Sequence, residues 1–427
     1  MAHTQALLFD SAETTALNRV EEYEFGGGIV LVHIGEYWTS KQRDCHSIHE
    51  VSYRACYKPQ LPDYFISRYA KKGSVVYDPF LGRGTTLVQA RMHGCSVIGS
   101  DINPVCLKLA KARLCPPPIA CIKERLDSVV LGDEEPKNTG LLEFYHPDTL
   151  REIESWMRYF AHRRELNLLD SVDEWIEMVA INRLSGHSPG FFSVYTLPPN
   201  QAVSVERQRK INLKLNQRPE YRNTRELIWK KTKALLKDAL PRDYSEHAPI
   251  LFVASADYIP RIDSDSVDLV VTSPPFLDAV DYLQDNWLRM WFSISSVDAS
   301  LMWKIRSVAD WTERMESVLL ELHRILKPDG LIAFEVGEVR KGTIRLELEV
   351  LKAGHKVGLV PEYVLINTQQ FTKTSNCWGI ENNERGTNSN RIVVFRKNKE
   401  FNPACSQQPP AVAPRASAAE LYRYLKK

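Results

Sequence analysis

The run Val267-Asp268-Leu269-Val270-Val271 reads as a strand, and it stops at Thr272-Ser273-Pro274-Pro275-Phe276. Two successive prolines end a strand because each fixes φ and lacks an amide donor. Its nearly continuous apolar character is that of a strand covered on both faces, the pattern of parallel sheets. A second run, Gly73-Ser74-Val75-Val76-Tyr77, passes into Asp78-Pro79-Phe80-Leu81-Gly82-Arg83-Gly84-Thr85-Thr86 and then into the amphipathic stretch Leu87 to His93. A further strand, Val97-Ile98-Gly99-Ser100-Asp101, follows shortly after. Strand, glycine turn, helix and strand in succession predict an α/β protein that holds its ligands at the carboxyl ends of its strands.

Both strand ends carry groups suited to that task. Gly82 and Gly84 let the backbone approach a ligand closely, and the helix start, capped by Thr85 or Thr86, offers unpaired N–H groups. Asp101 can accept both hydroxyls of a ribose, or cap the helix that begins near Pro104. The prolines at 274 and 275 leave the carbonyls before them free to accept hydrogen bonds from a substrate. An exocyclic amino group needs such acceptors.

On these two peptides the chain resembles the S-adenosylmethionine-dependent amino-methyltransferases of DNA, which methylate cytosine N4 or adenine N6. Asp78 to Gly84 is similar to their D-P-F-x-G-x-G loop, and Thr272 to Phe276 to their catalytic S/D/N-P-P-Y/F. Matching pieces run from about His49 to Lys397 with one long insertion. The resemblance implies a Rossmann-like, seven-stranded, mostly parallel methyltransferase sheet with one antiparallel hairpin strand, and a mainly helical inserted domain. It implies S-adenosylmethionine as cofactor, with Asp78, Pro79, Phe80, Gly82, Gly84 and Thr85 forming its loop and Asp101 at its ribose. Asp257 resembles the acidic residue near the cofactor adenine, although an aspartate in a surface turn has the same look. The resemblance also implies that the segment of Tyr57 and Lys58 packs near the methionine end of the cofactor. Arg83 stands where Ser is common, a harmless exchange if its side chain faces solvent.

Ser273, Pro274, Pro275 and Phe276 are the implied catalytic set. An amino nitrogen on a nucleobase is a poor nucleophile because its lone pair is delocalised. If Ser273 and the Pro274 carbonyl accept its hydrogens, the nitrogen turns toward tetrahedral geometry and attacks the donor methyl in line. Positioning then supplies most of the acceleration, and no metal is required. Phe276 would stack on a base that has left the duplex. A cytosine-C5 enzyme would need an activated cysteine, usually in Pro-Cys, and no Pro-Cys occurs. Serine at 273 is more typical of cytosine-N4 enzymes, with adenine-N6 the alternative. An RNA guanine-N2 methyltransferase and a DNA-binding protein that has lost catalysis are further readings; the short segment before Asp44 and the joint retention of Asp78, Gly82, Gly84, Asp101, Ser273 and Pro274 argue against them.

Composition bears on the partner. The 427 residues carry a net charge of +2, but from Arg183 to Arg242 there are 13 Lys and Arg against 4 Asp and Glu, an excess of +9. Clustered cations of this kind neutralise phosphates. The organisation expected is residues 1–114 as N-terminal segment and cofactor half, 115–249 as a basic inserted domain that recognises DNA, 250–397 as catalytic half and 398–427 as a flexible tail. Arg207, Arg209, Lys210, Lys230 and Lys231 are candidates for phosphates; Asn200, Gln201 and Gln208, beside the aromatic-rich stretch Ser188 to Gln201, are candidates for base edges. Double-stranded DNA is the expected partner, with a separately acting restriction endonuclease a possibility that the resemblance raises. No apolar run approaches a membrane span, eight cysteines lack any C-x-x-C spacing, and a cytoplasmic protein with reduced thiols is expected. Lys327-Pro328-Asp329-Gly330 reads as a turn, and Gly26-Gly27-Gly28 as another, in an N-terminal segment to which no chemistry is assigned.

Overall fold

The computed structural model describes residues 19–38, 45–198, 201–245, 247–275, 277, 281–295, 302–303, 305, 307–337, 343–368 and 389–398. Strands β3 (Val75–Asp78), β4 (Ser96–Asp101), β5 (Ile250–Val253), β6 (Val267–Thr272), β7 (Leu326–Gly337), β8 (Leu359–Thr368) and β9 (Ser389–Lys397) are the seven that the apolar runs predict. Two more, β1 (Arg19–Glu24) and β2 (Ile29–Gly35), extend the sheet to nine in the order β1-β2-β8-β9-β7-β6-β3-β4-β5. The glycine run at 26–28 is the turn between them. β9 lies antiparallel between β7 and β8, and β1 is antiparallel to β2; the other pairings are parallel.

From β3 the chain steps outward to β4 and β5, then returns to place β6 on the other side of β3. The order therefore reverses between β3 and β6, where a crevice opens at the carboxyl edge. Side chains alternate across the sheet. Val76, Leu269 and Val271 pack on one face with helices α1 (Gln60–Tyr69), α2 (Thr85–Met92) and α3 (Pro104–Leu114). Val270, Ile332 and Val393 pack on the other with α10 (Val308–Ile325) and α11 (Leu346–Lys356).

Lys327 to Gly330 lies inside β7, where the sequence suggests a turn. Leu326 pairs with Val267 and Leu331 with Leu269, so the four residues bulge outward while the strand continues. Nor do Thr85 and Thr86 cap α2. Gly84 occupies the cap at φ 77°, and a Cβ there would fall 2.7 Å from that of Ala110, so glycine is what lets α2 pack on α3.

The insertion contains α4 (Ile119–Ser128), α5 (Pro147–Glu165), α6 (Ser171–Arg183), α7 (Val205–Leu215) and α8 (Thr224–Leu235). Asp170 caps α6 and Asp173 returns the bond, a reciprocal pair that sets its start. Trp156, Trp175 and Ile176 join the same apolar cluster as Leu109 of α3 and Leu269 of β6. Lys108 and Lys111 of α3 reach Glu177 and Glu174 of α6. Among the described residues no helix is long and apolar enough to cross a membrane.

Candidate active site

β3 and β6 run side by side with Tyr77 opposite Val270, so their ends deliver Asp78 and Thr272 to the same place. Thr272 Oγ1 donates to Asp78 Oδ1 at 2.6 Å, and Phe80 N donates to the same oxygen at 3.1 Å. Two peptides far apart in sequence thus form one floor. Above it lies a cleft of about 1040 Å³, open mouth included, lined among others by Asp78, Pro79, Phe80, Gly82, Thr85, Asp101, Ser273 and Pro275.

Asp101 and the glycine turn hold each other. Gly82 N donates to Asp101 Oδ2 and Asn103 N to Oδ1, each at 2.9 Å. The Gly82 amide is therefore engaged by protein, and Asp101 lines the cleft beside it. Asn103, not Asp101, caps α3. Asp78 is almost wholly buried, and burial raises its carboxyl to about 6, offset in part by the Thr272 bond. A cation in the cleft would relieve that penalty.

Arg83 does not face solvent. Its guanidinium donates to the carbonyls of Val51 at 2.9 Å and Tyr57 at 3.1 Å, while Nε donates to Thr85 Oγ1. It straps the segment before α1 onto the turn. Tyr57 then reaches the floor: its hydroxyl lies 3.3 Å from Asp78 Oδ2 and close against Thr86 Oγ1, which itself donates to Val271 O at 3.0 Å. Tyr57 lines the cleft and Lys58 does not, since successive side chains leave the backbone in different directions.

Ser273 Oγ donates to Glu335 Oε2 at 2.5 Å, and Asn390 Nδ2 donates to Glu335 Oε1 at 3.1 Å. Glu335 sits on β7, one residue past the Thr272–Phe334 pair, and is buried. Burial pushes its carboxyl above the ordinary glutamate value, the two bonds pulling back. With its proton directed at Glu335, the Ser273 oxygen turns lone pairs toward the cleft. The Pro275 carbonyl accepts from Trp311 Nε1 at 3.1 Å and is not free for a ligand; Pro274 is buried and lies off the cleft lining. Phe276 lies outside the described residues.

A model of the DNA methylase family matches residues 29–112 and 267–424. The chain belongs to the DNA methylase family. The unmatched middle contains the helical insertion. Over 105 residues, 24% of this chain and 19% of the relative, it is 37% identical to the type II methyltransferase M.MjaII of Methanocaldococcus jannaschii. Over 67 residues, 15% of each, it is 40% identical to the type II methyltransferase M.MvaI of Kocuria varians. The similarity thus spans less than a fifth of either relative's length. A SAM-dependent methyltransferase structure from Methanosarcina mazei overlaps 78% of this chain and 96% of its own at 9% identity and a TM-score of 0.34, too remote to argue from.

Several residues of this DNA methylase family member sit elsewhere than the sequence suggests. Asp257 lies off the cleft, bonded to Ser255 Oγ at 2.5 Å and 3.7 Å from Arg314, while its neighbours Ser255 and Ala256 line the wall. Tyr53, Arg54, Tyr282 and Trp303 line the cleft without having been singled out for it; Trp303 meets Phe80 edge to face with centroids 6.1 Å apart. In the insertion, Arg207, Lys210 and Lys230 are exposed and Gln201 is half-buried, whereas Asn200 lies outside the described residues. Lys231 packs inward toward Glu50 at 3.4 Å, and burial lowers its ammonium to about 8. Gln208 is buried, and so are Phe191, Phe192 and Val194 of the aromatic-rich stretch. Phe192 joins the apolar cluster that holds α6, and the Phe192 and Val194 amides bond to the carbonyls of Arg183 and Phe144, each at 2.8 Å.

Proposed function

We propose that this protein transfers a methyl group from S-adenosylmethionine to the exocyclic N4 of a cytosine turned out of double-stranded DNA in the cytoplasm. The observation that carries the reading is the joined floor: Thr272 bonded to Asp78, with Ser273 oriented by Glu335 at the mouth of the same cleft. A methyl donor and an amino acceptor entering one cleft would meet there.

The residues fit the cofactor. Asp101 offers lone pairs for vicinal hydroxyls, Phe80 and Trp303 give an apolar wall, and Asp78 is a buried carboxylate suited to an ammonium. When bound, S-adenosylmethionine would supply an electrophilic methyl on a sulfonium, whose sulfur departs as a neutral thioether. Ser273 accepts one amino hydrogen, while the Glu335 carboxylate keeps the serine proton turned away. Loss of amino conjugation then exposes the nitrogen lone pair, an advantage gained by orientation alone. Within the inserted region, residues 183–242 carry an excess of +9, the clustered positive charge that a polyanionic substrate requires.

Serine at position 273 places cytosine ahead of adenine as the acceptor. The test is incubation of duplex DNA with methyl-labelled S-adenosylmethionine, digestion to nucleosides and mass spectrometry. N4-methylcytosine is expected. N6-methyladenine would transfer the reading to the other branch, and absence of labelled nucleoside from every DNA offered would refute both.

A further inference from the structure

We propose that α7 is a phosphate-gripping helix for duplex DNA, one that fixes the duplex by its backbone and reads no bases. The inference rests on the DNA methyltransferase reading and adds which element holds the substrate and how.

Arg207, Lys210 and Lys214 stand at i, i+3 and i+7 and share about 60° of the helix circumference. All three are exposed, and none makes an ion pair with a described residue. Seven residues of helix rise about 10 Å. One strand of duplex carries about three phosphates over that length, at 3.4 Å each. Arg209 points elsewhere and donates to Glu143 Oε1 at 2.8 Å, so it braces α7 against the protein.

Base reading by side-chain amides is closed to this helix. Gln208 Nε2 donates to Tyr195 O at 3.0 Å and to Asn212 Oδ1 at 2.8 Å, and Asn212 Nδ2 donates to Glu143 O at 2.8 Å. Both amides are buried on the inner face. Outside remain Arg207, Lys210 and Lys214, long cations whose spacing suits successive phosphates.

The helix is also fastened to the wall of the cleft. Just before its cap at Ser204, Ala202 N donates to Asp285 O and Trp287 Nε1 donates to Val203 O, each at 3.2 Å. Asp285 and Trp287 belong to α9 (Tyr282–Ser293), whose Tyr282 and Leu283 line the cleft. The Asp285 carboxylate pairs with Arg54, another lining residue, at 2.7 Å. The segment that leads into α7 is therefore tied to the same wall of the cleft through α9.

The experiment measures duplex affinity across a salt series by fluorescence anisotropy for the wild type, for Arg207→Gln/Lys210→Gln/Lys214→Gln, for Lys210→Gln alone and for Arg209→Gln. The triple variant should flatten the slope of log affinity against log salt by about 2 to 3, and Lys210→Gln by about 1. Low-salt binding of the triple variant should weaken at least tenfold. S-adenosylmethionine affinity and the set of sequences methylated should not change, and Arg209→Gln should keep the wild-type slope. An unchanged slope in the triple variant, an altered set of methylated sequences, or an equal loss from Arg209→Gln would overturn the proposal. Each of those results leaves the methyltransferase reading standing, which fails separately if the wild type labels no DNA.

Discussion

At the residue scale, the proposed transfer would take its pH dependence from the Ser273–Glu335 pair. An ionised Glu335 accepts the serine proton; a protonated one donates to the serine oxygen and occupies a lone pair the substrate amino group needs. Burial raises the Glu335 carboxyl above its usual 4.5, so methyl transfer should fall as pH drops through that raised value and be full above it. Glu335→Gln can present either end of its amide and should lower kcat by about 10²-fold while erasing the acidic limb. Ser273→Ala should be at least as slow, with duplex affinity little changed. Rates measured against pH, beside calorimetric S-adenosylmethionine binding, separate the outcomes: a Glu335→Gln enzyme with the wild-type profile would remove the carboxylate from the chemistry.

Among elements, α10 braces the Thr272–Pro275 peptide. Trp311, in its first turn and fully buried, donates to the Pro275 carbonyl and so holds a segment that has no amide donors of its own at 274 and 275. Trp311→Phe keeps most of the apolar bulk and strands that carbonyl, a loss of about 1–3 kcal/mol. Turnover should drop roughly tenfold or more through lost positioning, with S-adenosylmethionine affinity preserved. Equal kcat in Trp311→Phe and wild type would show that the prolines alone suffice. This bond also marks the limit of what was legible beforehand. The glycine turn, the strand end at Pro274 and the carboxylate at Asp101 declare themselves because each depends on its immediate neighbours. Glu335 and Trp311 do not, since their roles arise from the β6–β7 pairing and from α10 crossing beneath a peptide 36 residues earlier. Arg83 escaped for the same reason: the carbonyls it grips lie on a segment before α1. Gln208 and Asn212, an amide pair at i and i+4, were a local hint of a buried bond that the surrounding charge obscured. β1 gives a poor apolar signal because four of its six residues are charged, though edge strands use such charge against stray pairing.

For the whole molecule, the insertion and the cofactor half share one apolar core and should unfold together. Trp175 of α6 is fully buried, donates from Nε1 to Thr232 Oγ1 at 3.1 Å, and belongs to the cluster that holds Leu109 of α3 and Leu269 of β6. Lys108 of α3 adds a charged contact to Glu177 of α6, whose nearly inaccessible carboxylate is also held by Arg164 of α5. Trp175→Ala should then cost about 3–5 kcal/mol and destabilise the cleft along with the insertion. Thermal unfolding followed by S-adenosylmethionine binding and by far-ultraviolet circular dichroism should give coincident transitions in wild type and variant, both lowered in the variant. If the helical signal were instead lost first while cofactor binding persisted to the wild-type temperature, the insertion would be an independent domain docked on the sheet. The coincident result would mean that α7, through α6 and α9, reports to the same core that carries Asp78 and Ser273, so that gripping DNA and shaping the cleft draw on a single rigid body.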